Sequence, residues 1–96
     1  MGILVRGLGI RFCAESVSVR KRSAELQELG RRIRAARTAL GLSQEDLANE
    51  SDIDRSYIGG VERGERNLTF KVLCKIAAAL RCDVATLTKG LPARPR

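Results

Sequence analysis

The sequence predicts an all-α domain of five short helices, and three observations predict it. Apolar residues recur at alternating steps of three and four from Leu26 through Leu29, Ile33 and Ala36 to Leu40, the period of one helix face. Small polar residues suited to helix N-caps (Ser43, Asp54 and Thr69) each stand just ahead of a further short apolar run. Gly41, Gly90, Pro92 and Pro95 punctuate the chain where these runs stop.

The first helix spans roughly 25 to 40, with its apolar stripe inward and Arg31, Arg32, Arg34 and Arg37 on other faces. Gly41 closes it. Ser43 opens the second helix, and Asp46, three residues on, supplies the other half of a capping box. Leu47 and Ala48 give this helix its buried side. Asp52 and Ile53 make a turn. Asp54 then caps a third helix whose inner face is Ile58 and Val61 and whose outer N-terminal residues are Arg55, Ser56 and Tyr57. Gly59 and Gly60 lie inside it and each costs about 1 kcal/mol against Ala. The fourth helix runs about 70 to 81 behind Thr69, with Leu73, Ile76, Ala77 and Leu80 inward. The fifth begins after Asp83, carries Val84 and Leu87, and ends at Gly90.

Residues 8 to 19 read differently. Leu8, Ile10, Phe12 and Ala14 alternate with Gly9, Arg11, Cys13 and Glu15, and Val17 and Val19 continue the alternation. A period of two suits a strand. The segment is a strand pairing with a second subunit, a flexible arm, or a stretch upstream of the true start. The expected organisation is therefore a basic arm or extended segment over 1–24, a folded domain over 25–90 and a tail over 91–96.

Composition excludes several classes. The 96-residue chain has no histidine and three cysteines, Cys13, Cys74 and Cys82, with no C-x-x-C. Zinc sites, disulfide frameworks and histidine-based acid–base catalysis are poorly served. No nucleophile–base pair or phosphate-cradling glycine loop is visible, so neither an enzyme, a metal nor a cofactor is expected. No apolar run approaches the ~20 residues of a membrane span. The first ten residues are too short and glycine-broken for a secretory signal, which makes a cytoplasmic location the expectation. The net charge is +7, of which residues 1–24 carry +4, residues 25–90 only +1 and the last six +2. Such a charge favours nonspecific attraction to phosphate, but its concentration in the ends does not by itself define a DNA-binding face.

The spacing within 44–61 is more specific. Counting Gln44 as the first position, apolar residues fall at the fourth (Leu47), tenth (Ile53), fifteenth (Ile58) and eighteenth (Val61), with small Ala48 at the fifth. A short side chain there lets two helices cross at a steep angle. This is the pattern of a helix-turn-helix, whose second helix offers its N-terminal residues to base edges in the major groove; an ordinary helical hairpin is the alternative. The residues R-x-x-x-G-L-S-Q-E-x-L-A at Arg37 to Ala48, Tyr57-Ile58, E-R-G at Glu62 to Gly64, and I-A-x-A-L at Ile76 to Leu80 resemble the Cro/C1-type, or Xre, family of bacterial and phage regulators. The resemblance covers about residues 26 to 90, and it departs at the turn, where many members have Gly and this chain has Asp52: the family position often needs a left-handed backbone, which Asp tolerates better than most residues but less well than Gly. The strings Q-E-D-L-A, S-x-I-D-R-S-Y-I-x-G-V-E-R and R-N-L-T are most similar to the controller proteins of restriction–modification systems.

The resemblance implies a compact five-helix, lambda-repressor-like DNA-binding domain and a transcriptional regulator that binds a pseudo-palindromic operator as a homodimer. Arg55, Ser56 and Tyr57 are the expected base contacts, Arg55 because a guanidinium can be bidentate to guanine O6 and N7. Ser43, Gln44, Arg63, Asn67, Thr69 and Lys71 are the expected phosphate contacts. Arg37 and Glu62 are expected to form a structural ion pair, and Val84, Leu87 and Leu91 a dimer interface, or else the lid of the monomer core. Double-stranded DNA and a second copy are the expected partners. RNA polymerase would be a third if Glu45, Asp46 and Glu50 met it, although a solvated helix face is the better account of these acids. Two other classes stay open: an antitoxin using residues 1–24 against a protein toxin, and an interaction module that has lost DNA binding.

Overall fold

The five helices of the computed structural model, which describes residues 23–92, each begin at a side chain that accepts a backbone N–H. Ser23 opens α1 (Ala24–Ala39), Ser43 opens α2 (Gln44–Ser51), Asp54 opens α3 (Arg55–Glu62), Thr69 opens α4 (Phe70–Ala79) and Asp83 opens α5 (Val84–Thr88). These caps satisfy donors that the first turn of a helix leaves without partners. Ser43 and Asp46 form the full capping box, each side chain accepting the other's backbone N–H at 2.9 Å. Asp52 takes the left-handed conformation expected of the turn, with φ 59° and ψ 46°.

α3 packs against both α1 and α2, α4 against α2, and α5 closes the base between α1 and α4. The core is built from Ile33, Leu47, Ile58, Val61 and Ile76, all nearly inaccessible, with Leu29, Leu73 and Leu80 around them. Ala48 is buried between helices, as the small-residue position requires. The chain is thus all-α in its described part. The strand expected over residues 8–19 and Cys13 lie outside the described residues.

Three details differ from the sequence reading or decide between its alternatives. Leu40 leaves the apolar stripe of α1 and is 41% exposed, because the helix ends at Ala39 and Gly41, at φ 74°, turns the chain away. α4 stops at Ala79, and Arg81 takes a left-handed backbone at φ 61°. Leu87, expected at a dimer interface or else in the lid of the monomer core, takes the second place, buried at 2% exposure in its own chain. Its helix has only one inward position to offer, and the core needs it. Val84 and Leu91 are half-buried against the same core.

Arg32, which lies off the apolar stripe of α1, ties the base together. Its Nη1 donates to the carbonyls of Leu87 at 3.0 Å and Lys89 at 2.7 Å, satisfying acceptors at the end of a helix too short to hold itself. Glu28 steadies the same guanidinium from one turn away, at 2.9 Å.

Candidate nucleic-acid interface

The N-termini of α2 and α3 meet at one surface. Arg55 and Ser56 are exposed there and Tyr57 is half-buried. Ser56 donates its hydroxyl to Asp54, whose carboxylate also accepts the Ser56 backbone N–H at 3.0 Å. The Ser56 hydroxyl oxygen keeps lone pairs for an outside donor.

Behind this surface lies the Arg37–Glu62 pair. Arg37 Nε donates to Glu62 Oε2 at 2.6 Å and Arg37 Nη2 to Oε1 at 3.0 Å, a bidentate fork. The side chains are 10% and 3% exposed. Arg37 Nη1 also donates to the Leu42 carbonyl at 2.8 Å. The carboxylate raises the Arg37 pKa above its usual value, against the opposing pull of burial. The pair joins α1 to the end of α3 and fastens the loop into α2.

Gln44 occupies the space between this pair and the exposed face. Its Nε2 donates to Glu62 Oε1 at 3.0 Å, and its Oε1 accepts from Arg55 Nη1 at 3.4 Å. The remaining expected phosphate contacts surround these helices. Ser43 is exposed at its cap; Arg63 is exposed after α3 and pairs with Glu65 at 3.1 Å; Asn67, Thr69 and Lys71 are exposed at the start of α4. The Thr69 hydroxyl accepts the Val72 N–H at 3.1 Å and still has a proton to donate.

Sequence reasoning missed Arg66. Its guanidinium lies over the Tyr57 ring, 5.1 Å from the centroid, a cation–π arrangement. Its stem crosses Gly60, where an added Cβ would sit 3.0 Å from Arg66 Cγ. Gly60 is thus a seat for an arginine arriving from the following loop. The signal was present in the R-N-L-T string, which begins at Arg66. Gly59 similarly faces Arg63 Nη1 and Gln44 Oε1, at 3.1 and 3.5 Å from where its Cβ would be. The bare stretch of α3 therefore carries arginine side chains from its C-terminal side.

The described residues include no cluster of metal-ligating side chains and no helix long and apolar enough to cross a membrane. Cys74 and Cys82 are unbridged and half-buried, and burial together with Asp83 pushes the Cys82 thiol pKa up.

Comparison with known proteins agrees with this fold. The helix-turn-helix family matches over residues 33–87. Control protein C.SmaI of Serratia marcescens is 46% identical over 59 residues, covering 62% of this chain and 70% of that protein. The crystal structure of the restriction–modification controller protein C.AhdI from Aeromonas hydrophila superposes with a TM-score of 0.67 at 51% identity, covering 68% of this chain and 98% of that one. The controller protein C.Esp1396I, solved as a tetramer with its natural 35-base-pair operator, superposes with a TM-score of 0.64 at 40% identity, covering 68% and 86%.

Proposed function

The chain belongs to the helix-turn-helix family of Cro/C1 type, and on that premise we propose that it regulates transcription by binding a pseudo-palindromic DNA operator as a homodimer. One observation carries the reading: Arg55, Ser56 and Tyr57 stand together at the exposed N-terminus of α3, beside the capped N-terminus of α2. Two such helices related by a two-fold axis fit successive major grooves, ~34 Å apart.

In this mechanism Arg55 reads guanine, Ser56 a neighbouring base, and Tyr57 a base edge or thymine methyl. Ser43, Arg63, Asn67, Thr69 and Lys71 hold phosphates on either side and fix the register. Residues 25–90 form the DNA-binding and dimerisation domain, and Val84 and Leu91 contribute to the subunit contact. The relatives' roles favour an operon encoding a restriction–modification system, a cytoplasmic site of action and no catalytic activity. An antitoxin would need a toxin-binding surface in residues 1–24, and nothing in the described residues favours one. Titrating the protein against duplex DNA at several salt concentrations tests the reading. Affinity should fall steeply with salt, with a slope of about 0.9 for each phosphate neutralised, and a flat response would count against phosphate contacts.

A further inference from the structure

Glu62 has one carboxylate but two tasks. Its Oε2 accepts Arg37 Nε, and its Oε1 is shared between Arg37 Nη2 and Gln44 Nε2, each at 3.0 Å. A carboxylate can only accept, so Gln44 must turn its NH2 group inward. The amide is then fixed with its carbonyl outward, where it meets the guanidinium of Arg55 at 3.4 Å.

The geometry points to Glu62 as a positioning residue for base recognition, acting through Gln44 to hold Arg55 in its reading orientation. This rests on the assignment of Arg55 as a base contact. It also changes what Gln44 does. An outward carbonyl cannot bind a phosphate oxygen, because both are acceptors, so that oxygen serves to restrict the long, rotamer-rich arginine, and the phosphate contact expected of Gln44 falls to its N–H groups. Restriction before binding lowers the entropy lost on binding. The ion pair that fastens α1 to α3 thereby also sets the hand with which one base is read.

The chain Arg37–Glu62–Gln44–Arg55 alternates donor and acceptor, which gives it a direction and makes it testable by exchange. Base preference is measured at each operator position for folded Arg55→Ala, Gln44→Met, Gln44→Glu and the pair Glu62→Gln with Gln44→Glu. Gln44→Met leaves the ion pair intact and should relax preference at the same base pair as Arg55→Ala, losing on the order of tenfold discrimination. Combining it with Arg55→Ala should add nothing at that position. Gln44→Glu sets two carboxylates face to face and should also lose preference. Adding Glu62→Gln restores a donor facing an acceptor, although the same NH2 then opposes Arg37 Nη2, and should recover part of the preference even where stability is not repaired. Full discrimination in Gln44→Met, while Arg55→Ala has lost it, overturns the relay and leaves Arg55 as a reader. Unchanged preference in Arg55→Ala overturns both assignments.

Discussion

Gly30 of α1 lies so close to the end of α3 that a methyl group on it would sit 2.5 Å from the Val61 carbonyl oxygen and 2.6 Å from that of Glu62. The obstacle is backbone, which cannot rotate aside. Gly30→Ala gains about 1 kcal/mol in helix propensity but must push α1 off α3. A net loss of ~1–3 kcal/mol is expected, read as a lower denaturant midpoint. A more stable variant would contradict the close approach.

The Arg37–Glu62 pair makes a second prediction. Arg37→Met leaves a carboxylate buried without its partner and should cost ~3–5 kcal/mol. Replacing both partners, Arg37→Met with Glu62→Leu, should recover most of that loss, since hydrophobic replacements of buried pairs are often neutral. The double variant should nevertheless read its operator less selectively, because Gln44 has lost its acceptor. Thermal melts and per-base affinities on the same sample separate the two effects.

Acid should loosen the helix starts. Hydrogen bonds lower the pKa of three capping carboxyls: Asp46 by the Ser43 N–H and then its hydroxyl, Asp54 by the Ser56 hydroxyl and N–H, and Asp83 by the Thr86 hydroxyl and N–H. A pKa depressed in the folded state contributes stability above the unfolded value of ~3.9 and loses it as pH falls through the folded value. Stability should therefore drop below about pH 4. Asp54→Asn retains a good cap and should show a shallower acid limb; a limb identical to wild type would remove Asp54 from this account.

Val84 and Leu87 should part company on substitution. Leu87→Ala empties a fully buried site and should destabilise the monomer by ~2–5 kcal/mol. Val84→Asp places a charge at a half-buried helix start, where a carboxylate suits the dipole. The fold should survive while dimerisation and operator affinity fall. Sedimentation showing an intact Val84→Asp dimer would move the interface elsewhere.

The sequence revealed the fold where causes are local. Ser43, Asp46, Asp54 and Thr69 could be read as caps because each acts on backbone within three residues of itself. Apolar periodicity placed Ile33, Leu47, Ile58 and Ile76 inward for the same reason. Hidden features depend on where helices land. Gly30 looks like any helical glycine until α3 is against it, and Leu87 looks like a free apolar residue until α1 and α4 surround it. Gln44 shows no side-chain orientation until Glu62 sets its amide. Arg66 is a loop arginine until it folds over Tyr57 and Gly60. Local cues could place Arg55, Ser56 and Tyr57 at the start of α3 but not the hydrogen-bond directions around them.

The central claim is that Arg55, Ser56 and Tyr57 read bases from the start of α3. Selecting bound fragments from random duplex DNA with wild-type protein and with Arg55→Ala tests it most directly. The account predicts that wild type enriches a two-fold-symmetric sequence with half-sites about one helical turn apart. Arg55→Ala should enrich the same sequence with preference lost at one base pair in each half and affinity reduced by ~1–3 kcal/mol. Fragments with no common sequence from the wild type, or an unaltered pattern from the variant, would contradict it.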